Sequence, residues 1–302
     1  MFSSLFQLEQ IPVTLFSSAD ADAPVLTAEA GSLKSLLKAC LVTGYGDKQS
    51  LGWQMAHQSD DQLSAAFKSA APDASGFYLK VDNSAGDKAK LSAYQTMSDI
   101  DTGAKAWVEN QEYDLVASEW RLIGHKKAFV LLLDLSFDNG ERPYAYPLLF
   151  GDLPRETKRV NPVCVLWSGR RSQYHSASLQ VVLQEHPNGK SSDSASDYFE
   201  YAPSRPVRIN SGSRGENLIN NSCLFGYESD NQAAGIYSPV LSALSDGTWT
   251  FLPMLQPLSA GLSDVANFGR INDNTIKATT GAHIDRDAKC EDCAVPTDFW
   301  WG

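Results

Sequence analysis

Three observations predict an α+β fold rich in β structure. Short apolar or alternating runs recur along the chain, at residues 11–16, 77–81, 89–94, 120–135 and 164–167, and runs of this length are the signature of strands. Tight-turn residues separate several of them, above all Asp138-Asn139-Gly140 and Ser245-Asp246-Gly247, because Asn-Gly and Asp-Gly reach the positive φ values of hairpin turns. One stretch alone has a clear helical period. Leu33, Leu36, Leu37, Cys40 and Leu41 fall at i, i+3, i+4, i+7 and i+8, which places one apolar stripe on one face of a helix.

Taken in order, residues 1–21 read as an N-terminal arm or strand through the alternation Ile11, Val13, Leu15, Phe16. The helix follows, with Thr27 or Ser32 as its cap, Gly44 as its stop, and Lys34 and Lys38 on its outer face. Residues 77–81 and 89–94 form a strand pair around the polar turn 82–87, so residues 22–115 make a small helix-plus-hairpin lobe. Residues 98–114 are polar, which suits a connection or a short helix around Trp107.

The run Phe129-Val130-Leu131-Leu132-Leu133 has no polar alternate, the mark of a strand covered on both faces. It pairs in sequence with 120–123 across the turn Gly124-His125-Lys126-Lys127, and with a returning strand at 143–150 that Pro143 and Pro147 confine to an edge or to irregular segments. Further strands are expected at 164–167, 178–184, 235–240 and 247–252, with 190–197 a polar surface loop and 253–261 irregular extended chain. Residues 116–285 thus read as a mostly antiparallel β-sandwich or barrel-like domain, and 286–302 as a C-terminal tail.

Composition narrows the function. With 302 residues, 43% hydrophobic and 20% charged, the chain has enough apolar surface to build a core. A net charge of -11 and a pI near 4.9 argue against nucleic acid as a partner, since phosphate contacts need clustered Lys and Arg. No apolar run reaches the roughly 20 residues of a membrane helix, and the first residues lack the basic leader of a secretory signal. Cys40, Cys164 and Cys223 lie among apolar neighbours and read as small buried hydrophobes.

The sharpest chemical motif is Cys290-Glu291-Asp292-Cys293. Two thiols at this spacing suit a shared zinc ion, with His283 as a third ligand, or a small disulfide, or plain free thiols. His57, His125, His175, His186 and His283 lie in no hydrolase or zinc-protease motif and read as turn or surface histidines. Asp60-Asp61 and Asp99–Asp101 read as solvated acids. Phe299, Trp300 and Trp301 are large aromatics near the end of the chain. Such side chains cost solubility unless covered, so we expect them to dock on their own subunit or to anchor a partner.

Residues 23–53, APVLTAEAGSLKSLLKACLVTGYGDKQSLGW, carry a resemblance as well. With Tyr78-Leu79-Lys80-Val81-Asp82, Tyr94-Gln95-Thr96-Met97-Ser98, Asp101-Thr102-Gly103, Trp120 and Phe150-Gly151-Asp152 in order, the stretch from Pro24 to Asp152 resembles a family of tailed-bacteriophage virion structural proteins. The departures are Thr43 and Lys48-Gln49, and past Asp152 the likeness reduces to Tyr237-Ser238-Pro239-Val240. The resemblance implies a non-enzymatic tail or neck protein without a cofactor, assembled in host cytoplasm as a multi-copy ring and retained in the virion by contacts with other virion proteins. Capsid decoration, or a tail module that binds or hydrolyses host-surface carbohydrate, are the alternatives.

Overall fold

The computed structural model describes residues 9–115, 119–135, 144–154, 163–168, 180–185, 240–243, 249–254, 256–257, 265, 267–285 and 288–301. The expected turns at 138–140, 186–189 and 245–247, and the loop 190–197, lie outside them, as do Cys223, His175 and His186. Within them the fold is α+β and rich in antiparallel strands. Among the described residues, no helix is long and apolar enough to cross a membrane.

Strand β1 (Gln10–Pro12) and β2 (Thr14–Ser17) precede helix α1 (Ser32–Lys38). The five-stranded sheet runs in sequence order, from β3 (Trp53–Gln58) and β4 (Ser64–Ser69) to β5 (Tyr78–Asp82), β6 (Lys88–Met97) and β7 (Gly103–Asp114). Strands β8 (Glu119–Gly124), β9 (Ala128–Leu135), β10 (Tyr144–Leu153), β11 (Val163–Ser168) and β12 (Gln180–Glu185) form a second sheet that β2 closes beside β8. Strands β13 (Val240–Ala243) and β14 (Trp249–Leu252) make a hairpin pair. Strands β15 (Gln256–Pro257), β16 (Arg270–Asn272), β17 (Thr275–Asp285) and β18 (Ala288–Pro296) form a four-stranded sheet in the order β15-β18-β17-β16. Finally β19 (Phe299–Trp301) pairs with β1, Trp300 opposite Ile11.

The alternation along the six-stranded sheet sorts its side chains into two cores. Trp120, Leu122, Phe129, Leu131, Leu133, Leu148 and Phe150 face one way, onto α1 and the five-stranded sheet through Leu33, Leu37, Phe67, Leu79 and Leu91. Ile123, Val130, Leu132, Leu149 and Leu153 face the other way, onto Ile276, Ala278, Cys293, Val295 and Trp300. The all-apolar run of β9 is therefore apolar because both its faces are covered, as its composition predicts. The first core crosses residue 115, so the lobe expected at 22–115 and the sheet after it share one interior.

Three expectations are corrected. Residues 103–114 form strand β7, not a connection or helix. Residues 288–296 are strand β18 in a sheet rather than part of a tail. Strand β10 is central despite its proline: Pro147 lies opposite Leu132 of β9, while the ladder to β11 starts at Leu148. Next to Leu148–Ser168, the last of the described β10–β11 pairs, a proline interrupts that ladder least.

Helix α1 and the turn that closes it bury the stripe read from sequence, Leu33, Leu36 and Leu37 on the helix and Cys40 and Leu41 just past it. Its first residue follows Gly31 (φ +82°), and neither Thr27 nor Ser32 caps it. The Leu33 N–H instead donates to Oδ1 of Asn83, in the turn between β5 and β6, at 2.8 Å. The helix closes in a π-type turn, Ala39–Thr43, whose last bond is Gly44 N–H to the Ala39 carbonyl. Gly44 has φ +76°, and a Cβ there would lie 2.5 Å from the Lys48 carbonyl oxygen. Lys34, expected on the outer face, is only 6% exposed. It lies three and seven residues before Leu37 and Leu41, on the flank of the stripe, where a long stem covers apolar surface. That burial, with the charge of Lys38, holds its ammonium pKa below the usual lysine range.

Candidate functional site

Polar groups converge at two places. The first is the turn between β8 and β9, inserted where the sheets meet. Glycine at 124 and a His125 N–H bond to the Ala128 carbonyl (2.9 Å) close the turn. Two donors from the five-stranded sheet grip its backbone: the Trp53 indole N–H on the His125 carbonyl (3.1 Å) and Ser69 Oγ on the Lys126 carbonyl (2.6 Å). Beside it, Asp152 of β10 accepts from Ser75 through both oxygens, Oδ2 from the backbone N–H (2.7 Å) and Oδ1 from Oγ (2.5 Å). Its own N–H donates to the Lys127 carbonyl. Lys127 Nζ donates to Asp73, which keeps that carboxyl below the usual carboxylate range.

Burial sets the charges here. It raises the Asp152 pKa to about 6, against the Ser75 bonds that favour the carboxylate. It lowers that of His125 to about 4, helped by the neighbouring charges of Lys127 and Lys126. Serine, histidine and aspartate are the residue types of a hydrolytic triad, but they are wired differently. The Nδ1 of His125 accepts from the Lys127 N–H at 3.1 Å, and Ser75 donates to Asp152. In a triad the histidine would stand between the other two. His125, read from sequence as a turn or surface histidine, lies in a turn as expected but is largely enclosed, with its ring edge-on to Trp300 at 5.4 Å.

The second place is a cleft of about 460 Å³ near the end of the chain. One wall is the turn between β16 and β17, Asn272-Asp273-Asn274-Thr275; the other is Asp298, Phe299, Trp300 and Trp301, with Pro253 and Pro296 completing the lining. Backbone bonds brace the walls, from Thr297 N–H to the Asn274 carbonyl (2.9 Å) and from Val13 N–H to the Asp298 carbonyl (3.0 Å). Asn272 Oδ1 accepts from Asn274 N–H, and Asp298 Oδ1 from Phe299 N–H. The rings of Phe299 and Trp301 meet edge-to-face at 5.3 Å.

Of the terminal aromatics, Trp300 is 1% exposed and gives its indole N–H to the Pro296 carbonyl. It docks on its own chain, so it is not available as an anchor for a partner. Trp301 is 36% exposed and faces the cleft. The cysteine motif lies along β18, with Cys290 opposite Ala282 and Cys293 opposite Ala278, while His283 pairs with Lys289. The motif expected in a tail is thus part of a strand, and the β17–β18 register shifts beside it, between Thr279 and Ala282. Among the described residues no three of His, Cys, Asp and Glu group to hold a metal ion.

No family model matches the chain. No curated protein and no solved structure matches it either. Sequence reasoning missed Ser75, Asp73 and Lys127, whose partners are distant in the chain. It also missed the wall formed by Asp273 and Asn274, although Asn-Asp-Asn is a recognisable turn signal.

Proposed function

We propose that this chain is a non-enzymatic structural protein of a tailed-phage virion, a tail or neck component assembled in several copies by protein–protein contacts. One observation carries the non-catalytic part of the reading. The acid, serine and histidine that converge at the β8–β9 turn are committed to structural bonds, with both Asp152 oxygens of β10 on Ser75 of the β4–β5 loop and His125 Nδ1 on the Lys127 N–H of its own turn. Groups so placed hold layers in register, which suits a building block. The virion part rests on the resemblance of residues 24–152 to such proteins.

The test is quantitative mass spectrometry of purified particles together with interruption of the gene. The reading expects the chain at a fixed whole-number copy ratio to the major virion proteins, and particles that stall or lose their tails without it. A chain found only outside particles, with normal particles formed in its absence, would overturn it.

A further inference from the structure

We propose that the cleft between the β16–β17 turn and β19 binds a neutral saccharide, with a pyranose face on Trp301 and ring hydroxyls on Asp273 and Asn274. This goes beyond an assembly role and rests on the chemistry of the cleft alone. At about 460 Å³ the cleft is within the range of small-molecule sites. Among the described residues, its two carboxylates, Asp273 and Asp298, have no lysine, arginine or histidine beside them in the lining, so an anionic ligand would meet repulsion. The exposed polar turn Asn272–Asn274 forms one wall, which disfavours a purely apolar ligand.

Donor and acceptor balance decides between the remaining classes. The walls offer acceptors, the carboxylates of Asp273 and Asp298, and they also offer donors, the Asn274 side-chain amide and the Trp301 indole N–H. Neither of those donors has a side-chain partner among the described residues. An ammonium or guanidinium group supplies donors only and would leave the amide and indole N–H groups unanswered. A hydroxyl donates and accepts, so adjacent hydroxyls on a ring answer both sets at once. The same ring carries C–H groups on its faces, and these suit the exposed indole of Trp301, set by its edge-to-face contact with Phe299.

The experiment is a titration of the full chain, followed by calorimetry and tryptophan fluorescence, with glucose, galactose, mannose, N-acetylglucosamine and their disaccharides. Glucuronic acid and an oligolysine peptide are the charged comparisons. The proposal expects at least one neutral sugar to bind, and Trp301→Ala and Asn274→Ala each to weaken it by about tenfold or more. Asn274 is exposed, so the unfolding midpoint of Asn274→Ala should match the parent, and the binding of Trp301→Ala is read well below its own midpoint. Trp301→Phe should keep part of the affinity by keeping an aromatic face. No binding by any neutral sugar, binding that both alanine variants leave unchanged, or preference for oligolysine or glucuronic acid would each overturn it. Particle incorporation of Trp301→Ala, measured in parallel, separates this outcome from the structural reading, which expects normal incorporation.

Discussion

Asn83 holds the start of α1 from the turn between β5 and β6, with Oδ1 on the Leu33 N–H and Nδ2 on the carbonyls of Ala85 (3.0 Å) and Lys88 (3.4 Å). It is fully buried and answered on both sides of its amide. Asn83→Ala should cost about 2 kcal/mol in urea unfolding, because one N–H and two carbonyls lose a buried partner. Asn83→Asp should cost more, since a carboxylate would face those two carbonyls. An Asn83→Ala midpoint equal to the parent's would refute this cap. The apolar stripe of α1 was legible from spacing, whereas its cap was not, because the capping residue lies fifty positions away. His125 and Asp152 pull stability in opposite directions. Between about pH 6.5 and 4 the unfolded chain protonates a histidine that the fold keeps neutral, so acidification through that window costs stability. Between about pH 4 and 6 the fold keeps a proton on Asp152 that the unfolded chain has released, so raising the pH there costs stability. Asp152→Asn should therefore lose stability on acidification more steeply than the parent, and His125→Gln less steeply or with reversed sign. Denaturant titrations at about pH 4.5 and 6.5 decide this, and identical slopes in all three proteins would contradict it.

The β8–β9 hairpin and its neighbour β10 show how an element is fixed by what approaches it. Gly151 has φ +136°, and a Cβ there would run into the Lys127 carbonyl oxygen and the Ala128 Cα. The obstacle is backbone, which cannot swing aside, so Gly151→Ala should destabilise by about 2 kcal/mol or more, read from the shift in thermal or urea midpoint. A neutral substitution would mean that β10 does not lie against the turn as described. Strands β8, β9, β11 and the β5–β6 pair were legible because their apolar runs and turn residues are local signals. Strands β7 and β18 were not. Lys289, Glu291 and Asp292 are residue types depleted in strands, and β18 is held by its ladder to β17 rather than by its own propensity. Cys290 and Cys293 were legible as a motif, but the strand that carries them was not.

At the scale of the molecule, the six-stranded sheet lies between two layers, and neighbouring residues of β9 report on different cores. Leu131 belongs to the core shared with α1 and the five-stranded sheet, and Leu132 to the core shared with β17, β18 and Trp300. Leu131→Ala and Leu132→Ala should each cost about 2–5 kcal/mol, the range for truncating a fully buried leucine. A Leu132→Ala variant as stable as the parent would mean that the second layer is missing. Two-sided burial could be read from the unbroken apolar run, but the identity of the second layer could not, because its strands carry weak signals of their own. We propose above that this stack is a building block of a virion, its convergent polar groups spent on holding layers together. An image reconstruction of the intact particle, at a resolution that separates strands, tests it most directly. The claim predicts repeated copies of the three stacked sheets around the tail or neck axis, with the β8–β9 turn enclosed inside each copy. A particle whose density accommodates no copy of the stack would contradict it.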